Sequence, residues 1–225
     1  MTLIAILANG DYPTHRIPLQ ALNEAEVIVC CDSAVATMME QGYSPHPSQR
    51  VQVVGDGDSL TPELRKLVPY PIFNESEQDY NDLSKAFRWI MNNIEGLVDI
   101  SIIGATGKRE DHTIGNISLL MDYHERLQQE RKGSSVRIVS DYGTFHAVQG
   151  EASFESFPLQ QVSIFSLTPQ VPVSLYGLRY PLSDHCITRW WQATLNEALS
   201  SSFSVKGGNL IVYQTHEAKE IPPTI

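Results

Sequence analysis

Two carboxylates one residue apart give this sequence its clearest chemistry. The run Val51-Gln52-Val53-Val54 is largely apolar and β-branched, and it leads directly into Gly55-Asp56-Gly57-Asp58-Ser59. Such a run reads as a buried strand, and strand ends are where open α/β sheets keep their ligands. Side chains two apart share a face while the chain stays extended, so Asp56 and Asp58 are expected to point the same way. Held together they repel. A hard divalent cation carried with a polyphosphate, Mg²⁺, relieves that repulsion by taking oxygen ligands. The same residues also read as a plain turn, because Gly, Asp and Ser are common turn formers. The residues downstream bear on the choice.

Two further clusters follow. In Glu77-Gln78-Asp79-Tyr80-Asn81-Asp82-Leu83-Ser84-Lys85, Asp79 suits a helix N-cap and Asp82 the first turn, where both gain from the helix dipole. Capping accounts for Asp79 well and for Asp82 less well. Asp82 borders an apolar stripe and is expected to face the sheet edge, and Lys85, three residues on, lies on the same side. A carboxylate and an ammonium aimed at a strand-end crevice suit a metal-bound phosphate; a surface ion pair is the plainer alternative. The third cluster, Ile103-Gly104-Ala105-Thr106-Gly107-Lys108-Arg109-Glu110-Asp111-His112, follows another apolar run. Its glycines allow close backbone approach, and Lys108 and Arg109 can meet phosphate oxygens, Arg109 as a bidentate fork. Asp111 and His112 also read as helix caps. The cluster is not a P-loop, which needs glycine where Ile102 stands and Ser or Thr where Arg109 stands. The dinucleotide fingerprint fails too, since Gly55 and Gly57 are followed by Leu60 at the third position.

The elements that would carry these clusters alternate. Residues 2–8, 26–31, 51–54, 99–103 and 136–140 read as strands, with 71–74 as a further short one. Helices are expected over 34–41, with Asp32 or Ser33 as cap, from Thr61-Pro62-Glu63, over 79–93 and over 112–130. Leu83, Ala86, Phe87, Ile90, Met91 and Ile94 form the clearest buried stripe. In the last helix Ile114, Ile117, Leu120, His124 and Leu127 are expected inward. This alternation predicts an α/β N-terminal domain, residues 1–142, with a mostly parallel, helix-covered sheet. After about residue 143 the helix period fades. Short β-rich segments at 162–167 and 171–178, and a hairpin signal at Gly207-Gly208, predict an all-β sandwich C-terminal domain, residues 143–225.

Composition narrows the partners. The chain has 225 residues, 42% of them hydrophobic, and a formal net charge of −10, enough for one sizeable core or two modest ones. No basic stretch is long enough to track a phosphate backbone, which argues against nucleic acid. No apolar run is long enough to span a bilayer, and residues 1–8 read as a first strand rather than a signal peptide. The cysteines, Cys30, Cys31 and Cys186, are odd in number and read as reduced thiols of a cytoplasmic protein.

In order, spacing and residue type the three clusters resemble the thiamin pyrophosphokinase family: Gly55-Asp56-Gly57-Asp58-Ser59, then Gln78-Asp79-x-x-Asp82-Leu83-x-Lys85-Ala86, then Gly104-Ala105-x-Gly107-x-Arg109-x-Asp111-His112-x-x-x-Asn116. Gly177-Leu178-Arg179-Tyr180-Pro181-Leu182 and Asn196-Glu197-Ala198 extend the likeness to nearly the whole chain. The resemblance implies diphosphate transfer from MgATP to the hydroxyl of thiamin, with AMP released, by a homodimer whose active sites lie at the interface. It implies that Asp56, Asp58 and Asp82 hold Mg²⁺ and the triphosphate, that Arg109 and Asp111 serve catalysis, and that Asp32, Ser59, Gln78, Asp79, Lys85, Gly107, Lys108, His112, Asn116 and Asn196 line the substrate sites. Two segments depart from the family: Asp32-Ser33-Ala34 replaces Asp-Gly-Gly, and Thr194-Leu195-Asn196 replaces Thr-Ser-Asn. Trp190 and Trp191 read as ring-stacking residues or, more commonly for such pairs, as core or interface aromatics. Two rivals remain open: an Asp-x-Asp glycosyltransferase, which would release a nucleoside diphosphate, and a non-catalytic thiamin or nucleotide binder.

Overall fold

In the computed structural model of the protein, residues 1–56, 61–75 and 81–220 are described. They divide into two compact units, Met1–Asp141 and Tyr142–Ile225.

The first unit is built on strands β1 (Thr2–Leu7), β2 (Val27–Cys31), β3 (Arg50–Gly55), β4 (Ile72–Asn74), β5 (Val98–Ile103) and β6 (Ser135–Val139). Their order is β6-β5-β1-β2-β3-β4, and every pairing is parallel. The chain thus lays down strands on one side of β1 as far as β4, then returns to the other side with β5. Helices α1 (Arg16–Glu24), α2 (Ala34–Glu40), α3 (Pro62–Leu67), α4 (Asp82–Asn93) and α5 (Glu110–Glu130) connect them.

The adjacent cysteines show how the sheet is sandwiched. Cys30 Sγ lies 4.0 Å from Met38 Sδ of α2, whereas Cys31 Sγ lies 3.6 Å from the Asp82 carbonyl oxygen of α4. Neighbouring strand residues point to opposite faces, so helices cover both. One face buries Leu7, Ile28, Val53 and Ile103 against Leu22, Val35 and Met38. On α4, Leu83, Ala86, Phe87, Ile90 and Met91 are buried as the stripe requires. Phe87 stacks on Tyr123 of α5 at 4.2 Å between centroids.

Two helix expectations need correction. Helix α4 begins at Asp82, and its cap is Asn81, whose side chain accepts from Ser84 N at 2.9 Å. Asp79, expected as the cap, lies outside the described residues. In α5 the buried residues are Leu120, Met121, Tyr123 and Leu127, and Ile114 is exposed. The inward stripe begins only after the first turns.

The second unit contains β7 (Gly143–Glu155), β8 (Gln160–Ser166), β9 (Val173–Tyr176), β10 (Leu182–His185), β11 (Asn196–Glu197) and β12 (Ser202–Ala218), all antiparallel, with one 3₁₀ turn at Trp190–Ala193. The expected hairpin at Gly207-Gly208 is absent: β12 runs straight through these residues. Its register against β7 shifts between Lys206 and Asn209, which makes the glycines a bulge. A Cβ on Gly207 would meet Val173 Cγ2 at 2.8 Å, and one on Gly208 would strike Thr168 Oγ1. The pair is therefore used for close approach of neighbouring chain rather than for reversal. On one side β12 keeps β7 along its length. On the other it pairs β9 at Ser204–Lys206 and β8 from Leu210 onward.

Candidate active site

Loops leaving the carboxyl ends of parallel strands share one edge of the sheet, and a crevice forms where the winding changes direction. Here that point lies between β1 and β5. Ala8 N donates to Ile103 O at 2.8 Å, Gly10 N to Gly104 O at 2.7 Å and Asp11 N to Thr106 O at 3.0 Å, which laces the two following loops together. The lacing demands glycine: a Cβ on Gly10 would strike the carbonyl oxygens of Gly104 and Thr106. Gly107, at φ +97°, lies where a Cβ would strike the Asp11 carboxylate. Beside these loops opens a cleft of about 520 Å³, walled also by Cys31, Asp56 and the first turn of α4.

Lys85 joins two of the expected acidic residues in this cleft. Its Nζ donates to Asp56 Oδ2 at 2.8 Å and to Asp82 Oδ1 at 3.4 Å. The lysine side chain is 2% exposed, against 18% for Asp56 and 40% for Asp82. Burial raises the Asp82 carboxyl above its ordinary range; the Lys85 ammonium pulls it back, and the Asp32 and Asp56 charges push it further up. Burial disfavours the Lys85 ammonium, but its hydrogen bond to Asp56 and the two carboxylate charges outweigh that and raise its pKa.

Asp32 stands at the end of β2, 2% exposed and at φ +39°. Gly55 makes room for it, since a Cβ there would lie 2.8 Å from Asp32 Cβ. The Ser33-Ala34 departure is accommodated without strain: Ser33 has φ −70° and Ala34 opens α2, so neither position needs glycine's freedom. Ser33 Oγ accepts from Asn9 Nδ2 at 2.8 Å.

The third cluster forms the other wall and the mouth. Lys108 Nζ donates to Asn9 O at 2.9 Å and to Asn9 Oδ1 at 3.2 Å. Gly107, Lys108, Arg109, His112 and Asn116 all line the cleft, with Asn116 Nδ2 donating to Ala105 O at 2.8 Å. Arg109 forks onto Asp111, Nε to Oδ1 at 3.1 Å and one terminal nitrogen to Oδ2 at 2.6 Å, with both side chains largely exposed. That hydrogen-bonded fork holds the Asp111 carboxyl below its ordinary range.

Asp58, Ser59, Gln78 and Asp79 lie outside the described residues. Asn196 belongs to the second unit and is 3% exposed. Its amide is spent locally: Oδ1 accepts from Tyr180 N at 3.0 Å and Glu197 N at 2.9 Å, and Nδ2 donates to Tyr180 O at 2.8 Å. Leu195, the other departure, is 72% exposed at φ +59°. Asn9, which no motif singles out, ties Ser33 and Lys108 to the end of β1, and its place after the first strand of an alternating pattern is the available signal.

Comparison with known proteins identifies the family. Residues 19–131 match the family model described as thiamin pyrophosphokinase, catalytic domain, and residues 143–213 match that of the thiamin pyrophosphokinase substrate-binding domain. The thiamine pyrophosphokinase of Bacillus subtilis is 26% identical over 227 residues, covering 96% of this chain and 99% of that protein. The crystal structure of a B. subtilis thiamine pyrophosphokinase superposes with a TM-score of 0.74 at 22% identity, covering 94% of this chain and 98% of that one. The thiamin pyrophosphokinase from Candida albicans gives a TM-score of 0.76 at 16% identity, covering 95% and 89%. With both family models matched in order along one sequence, the chain belongs to the thiamin pyrophosphokinase family.

Proposed function

We propose that this protein transfers the diphosphate of ATP to the hydroxyl of thiamin, giving thiamin diphosphate and AMP. The observation that carries the reading is the Lys85 ammonium bound to both Asp56 and Asp82 at the carboxyl edge of the parallel sheet, in a chain whose family match covers both units. The family match does not favour an Asp-x-Asp glycosyltransferase.

The donor set suits Mg²⁺, which is ordinarily held by one or two carboxylates together with substrate phosphates. We assign Asp56, Asp82 and Asp58 to it as oxygen donors; the ammonium shared by Asp56 and Asp82 supports the first two. Once bound, the ion would screen charge on the phosphate oxygens. The chain's own residues do the remaining positioning, which dominates phosphoryl-type transfer. Lys108 and Arg109 stand at the cleft to meet phosphate oxygens, Asp111 orients the Arg109 fork, and the laced glycines let backbone approach closely. Gln78, Asp79, Ser59, His112 and Asn116 complete the nucleotide and thiamin contacts in this reading.

The second unit serves the thiamin site and a homodimer contact. Supporting this are the description of its matching family model as substrate-binding and its exposed aromatics Tyr180, Trp190 and Trp191. We read it as a sandwich, because β8 and β9 pair with different parts of β12 yet share one core of Val162, Ile164, Val173, Leu175, Val205 and Val212. Asn196 then acts on the site indirectly, by fixing the turn at Tyr180. Among the described residues no helix is long and apolar enough to cross a membrane, and we place the protein, with its free cysteines, in the cytoplasm. Incubation with thiamin, ATP and Mg²⁺ tests the reading: thiamin-dependent AMP is expected, and release of ADP, or of no nucleotide product, would refute it.

A further inference from the structure

Lys85 is among the most deeply buried large side chains of the protein, and it ends between two carboxylates that face the cleft. A buried ammonium is costly unless paired. Its backbone is fixed in the first turns of α4, with Lys85 N donating to Asn81 O at 3.1 Å, so only the end of the side chain can move. That end is 2.8 Å from Asp56 and 3.4 Å from Asp82, close to the position that a cation shared by both carboxylates would occupy.

We propose that Lys85 is the built-in counter-ion of the acidic site: its ammonium holds Asp56 and Asp82 on one point before a divalent cation arrives, and competes with that cation for the same oxygens. This rests on reading the site as a metal and nucleotide centre, not on thiamin as the acceptor. Two cations cannot share these oxygens without mutual repulsion. Entry of the ion therefore displaces the ammonium toward the cleft, where its three donors can take a phosphate oxygen. Lys85 is a positioning residue in this scheme. It holds the carboxylates aligned, and it keeps the empty site from accumulating uncompensated negative charge.

The test is thermal denaturation of the full chain in EDTA and in saturating Mg²⁺, without nucleotide. Lys85→Met is expected to melt lower than wild type in EDTA. Mg²⁺ should then raise its midpoint by roughly 4 °C or more, at least twice the wild-type response, because a ligand stabilises the state it binds more tightly. Lys85→Arg, which keeps the charge, should respond like wild type. Should Lys85→Met fail to fold without metal, Lys85→Met combined with Asp82→Asn removes one charge of each sign and is expected to fold in EDTA. Equal Mg²⁺ responses in wild type and Lys85→Met would overturn the proposal, as would a double variant no more stable in EDTA than Lys85→Met. AMP release by the wild type is scored in parallel. Its absence beside the expected shifts removes the thiamin reading and leaves this inference standing, and AMP release with equal shifts does the reverse.

Discussion

Both units bury polar side chains, but they use them differently. In the second unit the Asn196 amide is saturated by the backbone of Tyr180 and Glu197. The Glu197 carboxylate is held by Arg179 at 3.1 Å and Lys219 at 3.0 Å. In the first unit the Lys85 ammonium is as deeply buried, yet the carboxylates it holds open onto a cleft. Polar groups satisfied within their own unit fix a local shape. Charges gathered at the carboxyl edge of a parallel sheet beside a cavity are arranged to meet something that arrives.

Single substitutions should separate the two uses. Asp56→Asn is nearly isosteric and removes one charge from the cleft. It is expected to lower thiamin-dependent AMP release by about 10²–10³-fold, with an unfolding midpoint close to wild type. Asn196→Ala should show the opposite pattern, losing about 1–3 kcal/mol in urea denaturation because buried partners are left unsatisfied. If Asn196→Ala instead abolished turnover at unchanged stability, the contrast between the units would break.

A smaller effect sharpens the comparison through pH. Burial opposes the Lys85 charge, but its partners win and raise its pKa above the ordinary 10.5. A raised folded pKa contributes stability that is fully present below the unfolded value and is lost as pH rises through the folded one. Wild type should therefore lose stability above about pH 10.5 more steeply than Lys85→Met, as measured by denaturation across the alkaline range. Parallel curves would contradict the ion pairing.

Much of the first unit was legible because parallel strands buried on both faces read as unbroken apolar runs. Residues 26–31 and 51–54 stood out for that reason, and the strands found there are Val27–Cys31 and Arg50–Gly55. The α4 stripe was legible because Leu83, Ala86, Phe87, Ile90 and Met91 recur at helical spacing. The losses have physical causes. Strand β7, Gly143–Glu155, is only partly buried and carries Thr144, His146, Gln149 and Glu151, so no apolar run announces it. Gly207-Gly208 looks identical in sequence whether it reverses a chain or admits a neighbour, and only the crowding by Thr168 and Val173 decides. Asn9 belongs to no motif, because its importance comes from contacts with Ser33 and Lys108, 24 and 99 residues away.

The claim beneath these contrasts is that Asp56 and Asp82, distant in sequence, act on a single cation. Binding of Mn²⁺ in the presence of ATP, followed by electron paramagnetic resonance, measures this directly in wild type, Asp56→Asn, Asp82→Asn and the double variant. Groups that share one partner are not additive. The double variant is therefore expected to lose little more affinity than the weaker single one. Losses that simply add would show two independent carboxylates and contradict the shared site.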